Sequence, residues 1–416
     1  MNQTLFPGRL HGTAAAIPSK SQAHRLLLCA ALAGAPSELS CGGMSEDIAA
    51  TVDCLRAMGA EITRRGDRIA VRPIQPVRAA CVLPCRESGS TLRFLLPVVG
   101  ALGLTGHFQM EGRLPERPMG PLTDALTAHG MEIRRDGDRL CFRGRLLPGR
   151  YELPGDISSQ YLTGLLFALP LLPGDSTLRI TTPLQSKGYL QMTLDTLAQC
   201  GILLAETGEG FRVPGGQRPR IPDGCRVEGD WSNAAFFLCA GAISGPVAVT
   251  GLRPDSAQGD RAILELLRRF GAKVETAPNR VAVSPGPLHG IFIDAGEIPD
   301  LIPALAAVAA AADGETVVTN AGRLRLKESD RLAAIAALLR NLGGSVIERP
   351  DGLVIRGGAP LVGGTADSRG DHRIAMAAAV CSLLCQGSVT VTGAECVKKS
   401  DPDFWSDFLS LRQEAT

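Results

Sequence analysis

Residues 46–70, EDIAATVDCLRAMGAEITRRGDRIA, decide the fold. Ile48, Val52 and Leu55 recur at helical spacing, so the stretch opens as an amphipathic helix. Gly59 stops that helix, since glycine tolerates the left-handed backbone a helix end often takes. Ile62 and Ile69 then flank the turn residues RRGDR, which reads as a strand, a tight turn and a return strand. The same pattern returns at Gly130, Gly201, Gly271 and Gly343, at steps of 71, 71, 70 and 72 residues. Each glycine has an aliphatic residue three positions on (Ile133, Leu204, Val274, Val346) and an apolar one ten positions on (Leu140, Phe211, Val281, Leu353). Turn residues RDGDR, ETGEG, TAPNR and ERPDG lie between, and Ile335, Leu338, Leu339 and Leu342 give the last helix its apolar stripe. A period kept at five places predicts a repeat architecture.

Each unit carries a second helix, apolar nearly all round and opened by a polar segment. These are PSKSQAHRLLLCAALAG from Pro18, ESGSTLRFLLPVVGALG from Glu87, DISSQYLTGLLFALPLL from Asp156, GDWSNAAFFLCAGAI from Gly229, GEIPDLIPALAAVAAAA from Gly296 and RGDHRIAMAAAVCSLLC from Arg369. A helix that is apolar on every side must be buried. With a sixth surface helix in DPDFWSDFLSL, the 416 residues read as six units of about 70 in two globules of three, α/β, with buried helices inside and sheets and amphipathic helices outside.

Composition narrows the function. Forty-three basic and 42 acidic residues give a net charge of +1, with no long-range pull on polyanions, so a nucleic-acid partner is not expected. The twelve cysteines are scattered without a Cys-x-x-Cys pair, and even the closest pairs, Cys81 with Cys85 and Cys381 with Cys385, read as small buried apolar residues of a reducing compartment. No metal is expected. The N-terminus MNQTLFPGRLHG lacks a secretory pattern, and the longest apolar run, Leu301 to Ala312, falls short of the ~18–20 residues that span a bilayer. A soluble, cytoplasmic monomer without a membrane partner is expected. P-loop, dinucleotide and nucleophile-elbow motifs and a metal-ligand cluster are absent, which disfavours ATP, nicotinamide and zinc chemistry.

The polar segments opening the buried helices are where chemistry is expected. Exposed N–H groups and the positive end of each helix dipole favour anions there. Lys20, Ser21 and Arg25, Gly89, Ser90 and Arg93, Ser158, Ser159 and Gln160, Asp300, and Asp371, His372 and Arg373 all fall in such segments. Arg117, Lys327 with Arg331, and Lys398 with Lys399 add basic clusters in loops. Together they point to small, multiply anionic ligands held by charge-assisted hydrogen bonds. Each residue has a plainer reading too. Ser158, Ser159, Asn233 and Asp300 could be helix caps, His372 a packed imidazole, and Glu328 with Asp330 an acidic first-turn pair. Arg25 and Arg93, placed in the first turns of apolar helices, need partners in either case.

At PSKSQAHR, ESGSTLRF, LPERPMG, ISSQYLTGLL, QSKGY, EGDWSNAAFF, IPDL, RLKESDRL and DHRIAM the sequence resembles the EPSP synthase (3-phosphoshikimate 1-carboxyvinyltransferase) family of enolpyruvyl transferases. The motifs run in family order from about residue 18 to 405. The resemblance implies a two-domain inside-out α/β barrel of six βαβαββ repeats, with residues 1–18 and 229–416 in one domain, 19–228 in the other, and the active site in the cleft between. It implies transfer of the enolpyruvyl group of phosphoenolpyruvate to the 5-hydroxyl of shikimate 3-phosphate, by addition and elimination, with no cofactor. Asp300 is then the general base, while Glu328 and Lys20 share the C3 proton. Shikimate 3-phosphate falls to Lys20, Ser21, Arg25, Ser158, Ser159, Gln160, Ser186, Tyr189, Asp300 and Lys327. Phosphoenolpyruvate falls to Lys20, Gly89, Arg117, Gln160, Arg331, Arg373 and Lys399, with Arg93 and His372 in support. Glu87, Ser88, Phe94 and Arg323 depart from the commoner family form, yet Gly89 is kept, which implies inhibition by glyphosate. The sister transferase acting on UDP-N-acetylglucosamine would need a cysteine in EGRLPERPMG, and none is there. A non-catalytic phospholigand-binding relative would have lost Asp300, Glu328 or Lys20.

Overall fold

The computed structural model describes residues 1–75 and 80–413. Twelve α-helices follow one another among the described residues: α1 (Lys20–Leu32), α2 (Glu46–Ala57), α3 (Gly89–Leu102), α4 (Gly120–Thr127), α5 (Ser159–Ala168), α6 (Lys187–Gln199), α7 (Trp231–Ile243), α8 (Ile263–Phe270), α9 (Ile302–Ala311), α10 (Arg331–Asn341), α11 (His372–Cys381) and α12 (Phe404–Ser410). The odd-numbered ones are the apolar helices and are buried almost throughout. The even-numbered ones bury a single face, as their amphipathic patterns require. All five stop glycines have positive φ, from 78° at Gly201 to 105° at Gly59, which accounts for glycine at each of them. The hairpin expected after each glycine is present, for example Glu61–Arg65 with Arg68–Arg72 and Ser345–Arg349 with Gly352–Gly357.

The chain divides into two compact units, Met1–Ile17 with Glu228–Thr416, and Pro18–Val227. The division falls one residue earlier at each crossing than the positions named from the sequence. Each unit has its own hydrophobic core.

In the unit of residues 18–227, three sheets accompany α1, α3 and α5. Strands Cys81–Arg86, Gly106–Met110, Met131–Asp136 and Arg139–Gly144 show the complete repeat: the first two pair in parallel across α3, and the last two form the hairpin. Strands from Arg150 to Val213 repeat it around α5. Among the described residues no regular strand pairs in parallel with Ser37–Ser40. Residues 225–227 take that place from the other end of the segment, with Ser40 and Arg226 in a parallel bridge. Helices α3 and α5 touch backbone to backbone: a Cβ at Gly164 would lie 2.2 Å from the carbonyl oxygen of Arg93. This close approach sets Ser159 and Gln160 beside the start of α3.

In the other unit, α7, α9 and α11 pack against one another. The N-terminal residues complete two of its sheets: strand Gly12–Ala15 pairs in parallel with Val247–Thr250, and strand Asn2–Leu5 lies antiparallel to Val389–Thr392. Distant parts of the chain complete the repeats: residues 225–227 in one unit, and strands Asn2–Leu5 and Gly12–Ala15 in the other. No helix among the described residues is long and apolar enough to cross a membrane.

Candidate functional site

In the unit of residues 18–227 the starts of α1, α3 and α5 gather the expected cations. Ser19 caps α1, and Lys20, the first helical residue, pairs with Asp47 at 2.9 Å. Arg25 lies in the second turn of α1 and Arg93 in the second turn of α3, one turn deeper than the sequence suggested. Burial at that depth demands partners, and both have them. Arg25, 2% exposed, donates to the Thr193 hydroxyl at 2.9 Å, to the Ser21 carbonyl at 2.6 Å and to the Tyr189 carbonyl at 2.7 Å, with its guanidinium 5.2 Å above the Phe94 ring. Burial lowers its pKa to about 10, so it remains cationic at neutral pH. Phe94 is 1% exposed and packs on His24 and Phe167, so this departure from the family form is a core residue supporting Arg25.

Arg93 donates to the Gln160 side-chain oxygen at 2.8 Å and to the Pro118 carbonyl at 3.2 Å, while the Gln160 amide donates to Ser90 at 2.9 Å. Arg117 sits at the end of a short helical turn, Leu114–Glu116, so the basic loop expected there is locally helical. Arg117 and Arg93 both close on Gly89: a Cβ at Gly89 would meet their Nη1 atoms at 2.8 and 2.9 Å. Ser158 caps α5 by accepting from the Gln160 N–H at 3.4 Å, which bears out the capping reading, and Ser159 follows, 5% exposed. Ser186, 1% exposed, holds a left-handed backbone at φ 56° just before α6. A residue with a β-carbon costs roughly 1–3 kcal/mol in that conformation, which the surrounding structure must impose. Tyr189 is half-buried one turn beyond it.

In the second unit Arg331, 1% exposed, binds three carboxylates. Its Nη1 donates to Asp300 at 2.6 Å, Nη2 to Glu328 at 2.7 Å, and Nε to Asp371 at 2.8 Å. Burial opposes its charge, but Asp371, Glu328 and Asp300 more than offset that and raise its pKa. Asp371 is fully buried, accepts from the Ser329 hydroxyl at 3.0 Å, and caps α11 through the Arg373 N–H at 3.0 Å. Asp330 caps α10 at 3.1 Å.

Asp300 is ringed by cations. Lys327 lies 3.5 Å from Oδ1, and Arg373 lies 3.4 Å from Oδ2 and donates to the Asp300 carbonyl at 3.3 Å. Burial pushes the Asp300 carboxyl up, but Arg373, Lys327 and Arg331 together hold it well below the usual carboxylate range. Burial pulls Lys327 down to about 8, against the opposing charge of Asp300. His372 is buried beside Asp371, its Nδ1 3.8 Å from Oδ1. Lys399, 5% exposed, ends a helical turn, Ala394–Lys399, where a loop was expected; Arg323 lies in another, Gly322–Leu326. Asp47 and Thr193 were not among the expected site residues, and Asp371 was named there without a role; each holds one of the expected cations. No cluster of three or more His, Cys, Asp or Glu side chains among the described residues could hold a metal ion.

Solved structures share this architecture. An EPSP synthase from Acinetobacter baumannii matches with a TM-score of 0.81 and 25% identity, covering 99% of this chain and 98% of that one. The enolpyruvyl transferase NikO from Streptomyces tendae matches with a TM-score of 0.81 at 21% identity, over 99% and 97% of the two chains, and bears on fold alone. The fold, with its buried carboxylates and cations at helix starts, is that of an enolpyruvyl transferase. The profile of EPSP synthase (3-phosphoshikimate 1-carboxyvinyltransferase) matches residues 6–408. A 3-phosphoshikimate 1-carboxyvinyltransferase of Clostridium kluyveri is 42% identical over 415 residues, 99% of this chain and 97% of the relative. One of Clostridium beijerinckii is 40% identical over 423 residues, again 99% and 97%. The chain belongs to the EPSP synthase family.

Proposed function

We infer that the chain transfers the enolpyruvyl group of phosphoenolpyruvate to the 5-hydroxyl of shikimate 3-phosphate, giving 5-enolpyruvylshikimate 3-phosphate and inorganic phosphate. The hydroxyl oxygen bonds to C2 as C3 gains a proton, giving a tetrahedral ketal phosphate. Loss of a C3 proton then breaks the bond from C2 to the phosphate oxygen. The reaction asks for a base, a group that gives and recovers the C3 proton, and cations for three anionic groups.

The observation that carries this reading is the ionised, half-buried Asp300 in contact with Lys327, Arg331 and Arg373, with Glu328 on the same Arg331. In that setting Asp300 is charged but a weak base. Anions drawn to Arg373 and Lys327 neutralise the cations that depress it and so raise its basicity when the substrates are bound. Glu328 and Lys20 serve the C3 proton between them. Ser21, Arg25, Ser158, Ser159, Gln160, Ser186, Tyr189 and Lys327 hold shikimate 3-phosphate. Gly89, Arg117, Gln160, Arg331, Arg373 and Lys399 hold phosphoenolpyruvate, Arg331 doing so while it also orients the carboxylates. Arg93 and His372 support these positions.

Twelve free cysteines fit a reducing cytoplasm, and a monomer suffices because both residue sets lie on one chain. The test is phosphate release from the two substrates without added metal or nucleotide, beside Asp300→Asn. Release that needs both substrates and collapses in the variant, with shikimate 3-phosphate still bound, is expected. Release from phosphoenolpyruvate alone, or a fully active variant, would refute the assignment.

A further inference from the structure

Helix α2 has no task in the reaction above, yet it ties the start of α1 to the start of α3. Asp47 and Thr51 stand one turn apart on α2, and Lys20 and His24 one turn apart on α1, so the two pairs meet in register. Asp47 takes the Lys20 ammonium at 2.9 Å, and the Thr51 hydroxyl lies 2.7 Å from Nδ1 of His24. The Thr51 hydroxyl is also 2.7 Å from that of Thr91 in α3, and the Thr91 hydroxyl donates to the Ser88 hydroxyl at 2.7 Å. Ser88 caps α3, accepting from the Thr91 N–H at 3.3 Å, and it precedes Gly89, on which Arg117 and Arg93 close. His24, Thr51, Thr91 and Ser88 are all fully buried.

These four groups fix the direction of every hydrogen bond between them. Each hydroxyl carries one hydrogen, and Thr91 gives its own to Ser88. The contact of Thr51 with Thr91 therefore takes its hydrogen from Thr51, and the contact of Thr51 with His24 takes its hydrogen from Nδ1. A neutral imidazole has a single N–H, so Nε2 carries none, and it is buried without a hydrogen-bond partner among the described residues. Burial, joined by Lys20 and Arg25 and opposed by Asp47, pulls the imidazole down to about 3 and keeps it neutral. The Phe94 ring meets it edge-on, with centroids 6.3 Å apart, and holds its plane. We propose that Thr51 and His24 are positioning residues that hold the start of α3 for phosphoenolpyruvate, His24 as the Nδ1–H tautomer. The hydrogen bonds run one way, from α1 through α2 to the cap of α3. Breaking one link loosens Ser88, and with it the Gly89 backbone that Arg117 and Arg93 surround. This inference rests on the reading of Gly89 and Arg117 as phosphoenolpyruvate ligands.

The test is steady-state phosphate release with each substrate varied, in Thr51→Val, which keeps the shape and removes the hydroxyl, and in Thr51→Ser, which keeps the hydroxyl. Thr51→Val leaves His24 Nδ1 and Thr91 without their shared partner. Its KM for phosphoenolpyruvate should rise about threefold to tenfold, as for the loss of one hydrogen bond, with that for shikimate 3-phosphate within about twofold of the wild type. Thr51→Ser should keep both values within about twofold of the wild type. A purely structural role would lower the melting temperature without separating the two KM values. An unchanged KM for phosphoenolpyruvate in Thr51→Val, an equal rise for both substrates, or a serine variant as impaired as the valine one would overturn the proposal. Should Thr51→Val fail to fold, nitrogen NMR of the wild-type protein with labelled histidine carries the test. The imidazole whose signals shift in Thr51→Ser should keep its hydrogen on Nδ1 from about pH 5 to 8, where exposed histidines titrate, and a hydrogen on Nε2 would overturn the proposal. Absence of phosphate release by the wild-type protein would strike the reading of the reaction instead, and the NMR signal would still decide the tautomer.

Discussion

Gly89→Ala isolates the geometry at the start of α3. The added methyl would stand 2.8 Å from Nη1 of Arg117 and 2.9 Å from Nη1 of Arg93, where ordinary contact begins near 3.4 Å. Both guanidinium groups must retreat by about half an ångström, and Arg93 has little room, being tied to Gln160 at 2.8 Å and to the Pro118 carbonyl. Arg117 therefore moves most. Losing or lengthening one charge-assisted hydrogen bond costs about 1.5–3 kcal/mol, which converts to roughly a 10- to 100-fold rise in the KM for phosphoenolpyruvate. The backbone at Gly89 is helical and alanine favours a helix, so stability should hold, with a shift in melting temperature within about 3 °C. Steady-state phosphate release with each substrate varied, together with a thermal melt, reads both effects. An unchanged KM would refute the placement of Arg117 on the ligand; a collapse in stability would mean that the methyl strikes the core.

Other perturbations follow from the same contacts. Asp371→Ala strips the fully buried carboxylate from Arg331, which keeps Asp300 and Glu328, but leaves the Arg331 Nε and the Ser329 hydroxyl without their acceptor; at about 1–3 kcal/mol for each such buried donor it should lower the melting temperature by roughly 10 °C. Lys327, pulled down to about 8, loses its charge as pH rises, so the affinity for shikimate 3-phosphate measured by calorimetry should fall above that pH; Lys327→Arg should remove the fall, and a parallel decline in the variant would contradict it. Asp401, 1% exposed, is pushed up to about 7 by burial and by Asp407. Its folded pKa exceeds its unfolded value, so the folded state binds the extra proton and the stability gained is lost as pH rises toward 7. Asp401→Asn should accordingly be more stable than the wild type at about pH 8, by up to about 4 kcal/mol, with the difference vanishing below about pH 4 in denaturant titrations.

Much of the fold was legible because the repeat is written in local chemistry. A glycine with positive φ ends each of five helices, and the hairpin after it follows from the next dozen residues. The borrowed strands were not legible. Gly12–Ala15 and residues 225–227 are too short to carry a pattern, and their partners lie more than 180 residues away. For the site, a cation inside an apolar helix was a real signal at Arg25 and Arg93, since burying a charge is uphill without partners. Its partners were hidden, because Thr193 is 168 residues from Arg25 and Asp371 is 40 from Arg331. Asp371 also looks like an ordinary cap from its sequence position. It is a cap, and the same carboxylate holds Arg331, a second task that spacing alone does not reveal.

The most direct test of the account is phosphorus NMR of the purified protein with phosphoenolpyruvate and shikimate 3-phosphate. The account predicts that both signals fall together, one for one, as inorganic phosphate and a single new phosphomonoester grow in. Loss of phosphoenolpyruvate without shikimate 3-phosphate, or two unchanged signals from ligands that are nonetheless bound, would contradict it.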